Sequence, residues 1–178
     1  TWNAIAQVSG KIIQTHPRLQ KGSIIRQGEE LLRIDPTAYR INLAKIKAST
    51  QNYKVQIQQL NVEKENNHKL LELQKADLNI KIKEVNTQKE LYKKNIVSKI
   101  EFESQLRGLI SQKVQVQNIQ NALNLVPTKL ELLRTQLDQA KSDLESANLQ
   151  LSYTTVTAPF DIQVIELSNK ISEFVQTG

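Results

Sequence analysis

Residues 102–151 read FESQLRGLISQKVQVQNIQNALNLVPTKLELLRTQLDQAKSDLESANLQL. Every seventh residue of this stretch is apolar: Phe102, Leu109, Val116, Leu123, Leu130, Leu137, Leu144 and Leu151. A strict seven-residue repeat sustained over this length specifies a helix with one narrow adhesive seam, and such a helix must pair with another. A second line of the same helix runs Gln105, Gln112, Ile119, Val126, Leu133, Ala140, Ala147. The partner lies upstream. Leu43, Ile57, Leu71, Leu78, Val85 and Tyr92 share one heptad phase, with Thr50 and Lys64 as its polar members. The second upstream line is Tyr39, Ile46, Tyr53, Leu60, then turns polar at Asn67, Gln74, Lys81 and Gln88.

Folding the two helices antiparallel aligns these lines in one register. Tyr92 then faces Phe102, Val85 faces Leu109, Leu78 faces Val116, Leu71 faces Leu123, Ile57 faces Leu137 and Leu43 faces Leu151. On the other line Gln88 meets Gln105, Lys81 meets Gln112, Leu60 meets Leu133, Tyr53 meets Ala140 and Ile46 meets Ala147. A shared register predicts one long αα-hairpin with its tip between Lys93 and Glu101. The alternative is two helices that pair with other chains. An arm of roughly 55 residues would reach on the order of 80 Å.

Composition limits what else the chain contains. With 4% aromatic and 24% charged residues, little is left for a large globular core beyond the seam and the ends. Cysteine is absent, which excludes a disulfide framework and a thiolate metal site and suits an oxidising compartment. The chain shows no initiator Met, no signal peptide and no apolar run able to span a bilayer, so it reads as an excised fragment whose membrane anchor lies outside it. The net charge of +6 raises the question of nucleic acid. The lysines are instead dispersed among glutamates, with few aromatics for base stacking, so they read as a solvated coiled-coil face, and no nucleic-acid partner is expected.

Glycine and proline divide the chain into three parts. Gly10, Pro17, Gly22, Gly28 and Pro36 crowd the first, Pro159 and Gly178 stand in the last, and only Gly108 and Pro127 interrupt the stretch between. Strand-like residues at Ala6, Val8 and Ile12-Ile13, then Ile24-Ile25, then Leu31-Leu32-Arg33-Ile34 make a first half-motif over 1–35. Residues 154–178 repeat it loosely: Val164-Ile165 answers Ile12-Ile13, and Phe174-Val175-Gln176-Thr177-Gly178 answers Ile24-Ile25-Arg26-Gln27-Gly28. Neither half buries a core alone; together they can close a small β-sandwich at the base of the hairpin, 36–153. The predicted fold class is α+β: a long antiparallel α-helical coiled-coil hairpin inserted between two halves of a small β-sandwich.

Local signals place the helix ends. Asp35-Pro36 offers a capping carboxylate and a proline suited to the first turn. Ser98 with Glu101 three residues on forms a capping box for the second helix. Pro127 breaks the local rules, since it deletes a helical hydrogen bond and clashes with the preceding turn, at a cost of about 3 kcal/mol. It faces the polar run around Asn66-Asn67, so a bend or helix break is predicted near 127.

Gly22-Ser23 and Gly28-Glu29 running into Leu31-Leu32-Arg33-Ile34-Asp35-Pro36 resemble the first lipoyl half of the periplasmic adaptor, or membrane fusion protein (HlyD-like), family. Residues 149–161, LQLSYTTVTAPFD, resemble that family's return segment. The resemblance covers essentially the whole chain. It implies a lipoyl-like sandwich, a homo-oligomeric ring, and a periplasmic adaptor joining an inner-membrane transporter (RND, MFS or ABC type) to a TolC-type outer-membrane channel for efflux or secretion. The family's tip motif is Arg, three residues, Leu, six residues, Ser. Leu91 and Ser98 match it, but Thr87 stands where the arginine would be, leaving Lys89, Lys93 or Lys94 to supply charge without bidentate geometry. Ile162 replaces the usual glycine after Pro-Phe-Asp, which predicts a less tightly turned strand start. The family's β-barrel and membrane-proximal domains are absent from this stretch.

The site residues are therefore expected at the tip: Leu91, Lys94, Ile96, Val97 and Ser98 as a channel contact, with Ile96 and Val97 apolar where the hairpin itself does not need them. Capping of the last seam layer is the competing role for Ile96 and Val97, and helix capping for Ser98. Tyr53, Leu71, Leu78, Val85, Leu109, Val116, Leu123 and Leu137 are the expected seam. No enzyme is expected. His16 and His68 are the only histidines, and no metal-ligand spacing, triad or phosphate loop accompanies them. No cofactor is expected either, because a carrier's target lysine belongs at a tight turn between the halves, where this chain places the long hairpin. A structural or tethering coiled coil is the alternative function.

Overall fold

Two long helices occupy the middle of the chain and short strands its ends. The computed structural model describes residues 2–167 and 171–177. In order, the elements are β1 Gly10–Thr15, β2 Ile24–Ile25, β3 Glu30–Ile34, α1 Thr37–Lys93, α2 Lys99–Ser152, β4 Thr155–Thr157, β5 Ile162–Gln163 and β6 Phe174–Val175. They form two compact units, Thr1–Asn52 with Leu137–Gly178, and Tyr53–Gln136. The fold is α+β, a coiled-coil hairpin inserted between two β half-motifs.

In the first unit each strand after the hairpin pairs antiparallel with a strand before it. β6 joins β1, β5 joins β2 and β4 joins β3, giving one sheet of order β4-β3-β1-β6 and a two-stranded sheet β2-β5. The core has two parts that mirror this exchange. Val8, Ile12 and Ile34 enclose Val175, and Ile25 and Leu31 enclose Ala158 and Val164. Ile12 and Val164, which the weak repeat relates, thus occupy equivalent places in the two clusters; Gly178 of that repeat lies outside the described residues.

The glycine turns are where the far half is clasped. Gly22 and Gly28 take positive φ (88° and 84°), open to glycine without steric cost. Gly22 N donates to Val164 O and Gly28 N to Ala158 O, at 2.7 and 2.8 Å. The Asp161 carboxylate accepts from Gln27 N at 2.8 Å, and Gln27 Nε2 donates to Pro159 O at 3.0 Å. Ile162, in place of the family glycine, continues directly into β5 opposite Ile25 and packs on the second cluster.

Both helix bases are tied into this unit. Asp35 Oδ1 accepts from Thr37 N at 2.9 Å, the geometry of an N-cap with Pro36 in the first turn. That hydrogen bonding to Thr37 holds the Asp35 carboxyl below its ordinary pKa. Tyr39 packs on the first cluster and donates its hydroxyl to Ser9 O at 2.7 Å; Tyr153 packs on the same cluster. Buried Thr50 donates to Ile46 O at 2.9 Å, and its hydroxyl lies 3.4 Å from Ala140 O.

In the second unit both heptad lines of each helix are buried or half-buried, with Leu60, Leu71, Val85, Leu109, Leu123, Val126 and Leu130 the most enclosed. Leu60, Val126 and Leu130 form a cluster joined by Ile57 and Leu133. The polar register departs from the sequence expectation. Gln105 meets Lys81 rather than Gln88, at 2.8 Å, and Gln112 meets Gln74 rather than Lys81, at 2.7 Å. A knob in an antiparallel coil seats among residues of both opposing lines, so side chains on corresponding lines meet diagonally. Long amine and amide side chains reach the acceptor one heptad nearer the helix start.

The expected break near 127 does not occur: α2 is continuous from Lys99 to Ser152 with Pro127 inside it. Pro127 lies on the exposed side, while Leu123, Val126 and Leu130 around it stay buried in the seam. Burial of Leu123, Val126 and Leu130 in the seam holds the helix through the lost hydrogen bond, with the proline ring on the exposed side.

Two glycines should respond oppositely to a side chain. A Cβ at Gly10 would sit 2.5 Å from Ile34 Cγ2, in the fully buried core. Gly10→Val should destabilise the β unit by about 1–3 kcal/mol through overpacking, read by urea unfolding followed at Trp2. At Gly108 a Cβ would meet only the flexible end of Lys81, at 3.3 Å. Gly108→Ala should stabilise α2 by up to about 1 kcal/mol, because mid-helix glycine carries that entropic cost; no gain in melting temperature would contradict this.

The hairpin tip as candidate docking site

The turn between the helices is narrower than the sequence indicated and is built by two opposed capping motifs. α1 ends at Lys93. Ile96 N donates to Leu91 O and Asn95 N to Tyr92 O, both at 2.9 Å. With Asn95 at φ 55°, this is a Schellman arrangement, using one of the few side chains that tolerate a left-handed backbone. In such a motif the residue after the left-handed position pairs with the one five earlier, here Ile96 with Leu91.

α2 begins with a reciprocal capping box. Ser98 Oγ accepts from Glu101 N at 3.2 Å, and the Glu101 carboxylate accepts from Ser98 N at 2.8 Å. These bonds to Ser98 hold Glu101 below its ordinary pKa of 4.5. Val97, half-buried, precedes the cap, the position from which an apolar side chain packs toward the fourth helical residue, here Phe102. Beneath the turn Tyr92 and Phe102 stack with centroids 5.4 Å apart and planes 6° apart, closing the last layer of the seam.

The five tip residues divide by what they touch. Leu91 is half-buried and gives its carbonyl to the turn; Ser98 caps α2; Val97 is partly covered. Ile96 is 64% exposed and Lys94 is exposed with no ion-pair partner among the described residues. By contrast Lys93 pairs with Glu90 at 2.7 Å and Lys99 with Glu103 at 3.6 Å. Thr87, at the family arginine position, donates its hydroxyl to Lys83 O at 3.1 Å, back onto its own helix. Sequence reasoning overlooked Ile100, 76% exposed in the first turn of α2. Its signal was legible: an apolar residue off both heptad lines, within two positions of the cap. Ile96 and Ile100 thus present bare apolar surface on a turn whose backbone is fixed from both sides.

The seam residues also separate by burial. Leu71, Val85, Leu109 and Leu123 are buried, whereas Tyr53, Leu78, Val116 and Leu137 are half-buried. Among the described residues no cluster of histidine, aspartate and glutamate is placed to hold a metal ion.

A family model described as the barrel-sandwich hybrid domain of RND membrane fusion proteins matches residues 3–178. The chain belongs to the membrane fusion proteins. Multidrug resistance protein MdtN from Shigella flexneri is 26% identical over 98% of the chain and 53% of its own length, and MdtN from Escherichia coli K12 gives the same figures. The chain therefore spans about half the length of these relatives. Among solved structures, MacA from Actinobacillus actinomycetemcomitans superposes with a TM-score of 0.54 at 23% identity, over 98% of the chain and 45% of MacA. The periplasmic adaptor protein EmrA gives a TM-score of 0.51 at 16% identity, over 98% of the chain and 68% of EmrA. These likenesses place this membrane fusion protein segment in the fold of a β half-motif, helical hairpin and returning half-motif.

The capping box makes the tip sensitive to both sequence and acid. Ser98→Ala should cost about 1 kcal/mol, seen as faster amide exchange at Glu101. Because Glu101 has a folded-state pKa below its unfolded one, its contribution is complete above 4.5 and is lost as pH falls through the lower folded value. Protection of the Ser98 amide should fall across that acid range in the parent protein and stay flat in Glu101→Gln.

Proposed function

We propose that this chain forms the lipoyl-like and hairpin portion of a periplasmic adaptor that links an inner-membrane transporter, of RND, MFS or ABC type, to a TolC-type outer-membrane channel for efflux or secretion. It does so without catalysing a reaction. It works in the periplasm, in a homo-oligomeric ring, held at the inner membrane by a segment outside these residues. Membership of the membrane fusion proteins supports this reading, as does the name of the relative MdtN as a multidrug resistance protein.

The observation that carries it is the tip. Ile96 and Ile100 stand exposed on a turn locked by the Asn95 Schellman cap and the Ser98–Glu101 box, while seam layers below are closed by Tyr92 and Phe102. An apolar contact held on a rigid backbone loses little entropy on binding. Several such tips in one ring turn weak single contacts into firm attachment. Leu91 and Ser98 contribute by shaping the turn, and Lys94 supplies the charge that Thr87 does not. The tethering coiled-coil reading needs helices that pair between chains; here Tyr92 and Phe102 stack within one chain.

Tip substitutions separate contact from turn geometry. Ile96→Asp with Ile100→Asp, and separately Lys94→Glu, should abolish or strongly reduce export in cells while the helical circular-dichroism signal is unchanged. Normal export by both would remove the docking role. Leu91→Asp and Ser98→Arg should also abolish export, but with altered amide exchange in the turn.

A further inference from the structure

A cleft of about 820 Å³ opens in the β unit, with all of its lining inside the first compact unit. Small-molecule sites occupy roughly 300–1,000 Å³, so the cleft has the size of one. Both half-motifs build it. Its floor consists of members of the second core cluster, buried Leu31 and Val164 with half-buried Leu19 and Ile162. Trp2 and Phe160 make an aromatic wall, edge to face, with ring centroids 6.0 Å apart and planes at 65°. Trp2 is the single tryptophan of the chain and stays 40% exposed, Phe160 50%. Rings that pack on each other and still face an open cleft leave apolar area for a ligand.

The charge of the lining has one sign. Asp161 and Glu166 line the cleft and no lysine or arginine does, in a chain whose net charge is +6. Glu166 is exposed and forms no ion pair among the described residues. Asp161 Oδ1 accepts from Gln27 N at 2.8 Å, a bond that fixes the carboxylate and leaves it further lone pairs to offer. Carboxylates beside an aromatic wall attract a cation in two ways, through their charge and through the negative faces of the rings. An anion meets repulsion from both.

We propose that this cleft binds a lipophilic cation of small-molecule size, a quaternary or protonated amine that carries an apolar ring system. The carboxylates of Asp161 and Glu166 and the Trp2 ring meet the ammonium. The ring system covers Leu31, Val164 and Phe160. This site belongs to the β unit alone and stands independently of the tip contact: normal export by the tip variants would leave it intact.

Trp2 reports on its own cleft. Titrating the full chain with biphenylmethyl-trimethylammonium should change Trp2 emission saturably, with a dissociation constant on the order of 0.1 mM. The anionic analogue biphenylmethanesulfonate should bind at least about tenfold more weakly. Glu166→Gln with Asp161→Asn, in which asparagine keeps an acceptor for Gln27 N, should weaken cation binding about tenfold or more and remove the preference over the sulfonate. Phe160→Ala, and Trp2→Ala followed by calorimetry, should each weaken the cation by roughly threefold or more. Phe160→Leu carries the aromatic test if Phe160→Ala loses its circular-dichroism signal. No saturation, equal binding of the sulfonate, or a doubly neutralised variant that binds the cation like the parent would each overturn the proposal. So would Trp2 emission that follows protein concentration rather than the cation, because a second copy would then cover the cleft.

Discussion

A seam two residues wide is the constraint on which the structure depends. The ridge of Leu60, Leu71, Val85, Leu109, Leu123, Val126 and Leu130, with the half-buried members of the same two heptad lines, is the apolar surface that the helices hide in this unit. Such a seam has little redundancy. It is held in register by particular features: the Tyr92–Phe102 stack at one end of its unit and the Lys81–Gln105 and Gln74–Gln112 bonds along it. Polar groups inside a coil cost stability and repay it in uniqueness of alignment, because another register leaves them unpaired. Lys81 does this with a chain laid over Gly108 and its amine at the edge.

The same closure makes the β unit possible. Its near half supplies β1, β2 and β3, and its far half supplies β4, β5 and β6, one partner for each. Neither half has an apolar cluster of its own. Val175 completes the group around Ile12 and Ile34, while Ala158 and Val164 complete the group around Ile25 and Leu31. Two half-motifs far apart in sequence pay a large closure entropy to meet. In this unit Tyr39 and Tyr153, one at each helix base, pack on the same cluster, so the helices arrive already delivering the two halves.

Function, in the reading proposed here, falls to the opposite extreme of burial. The tip is not a cavity. It is a turn braced by backbone hydrogen bonds of a Schellman cap on one side and a capping box on the other, with Ile96 and Ile100 exposed on it. Rigid backbone and bare apolar side chains are the combination a contact of small area needs.

The sequence by itself determined the helices, their antiparallel pairing and the sites of their caps, because heptad phase, Asp35-Pro36 and Ser98-x-x-Glu101 are local patterns with one economical solution. The glycine turns at Gly22 and Gly28 were legible for the same reason. Only the tertiary structure decided which residues meet across the seam. Lys81 finds Gln105, and Pro127 passes without a break, since diagonal packing and the burial of Leu123, Val126 and Leu130 outweigh a local preference. It also divided the candidate tip: Leu91 and Ser98 spend their polar groups on the turn, whereas Ile96 and Ile100 remain uncovered. Periodicity reports which side of a helix is sticky. How far each side chain is covered depends on the shape of the opposing surface, which no single helix carries in its own sequence.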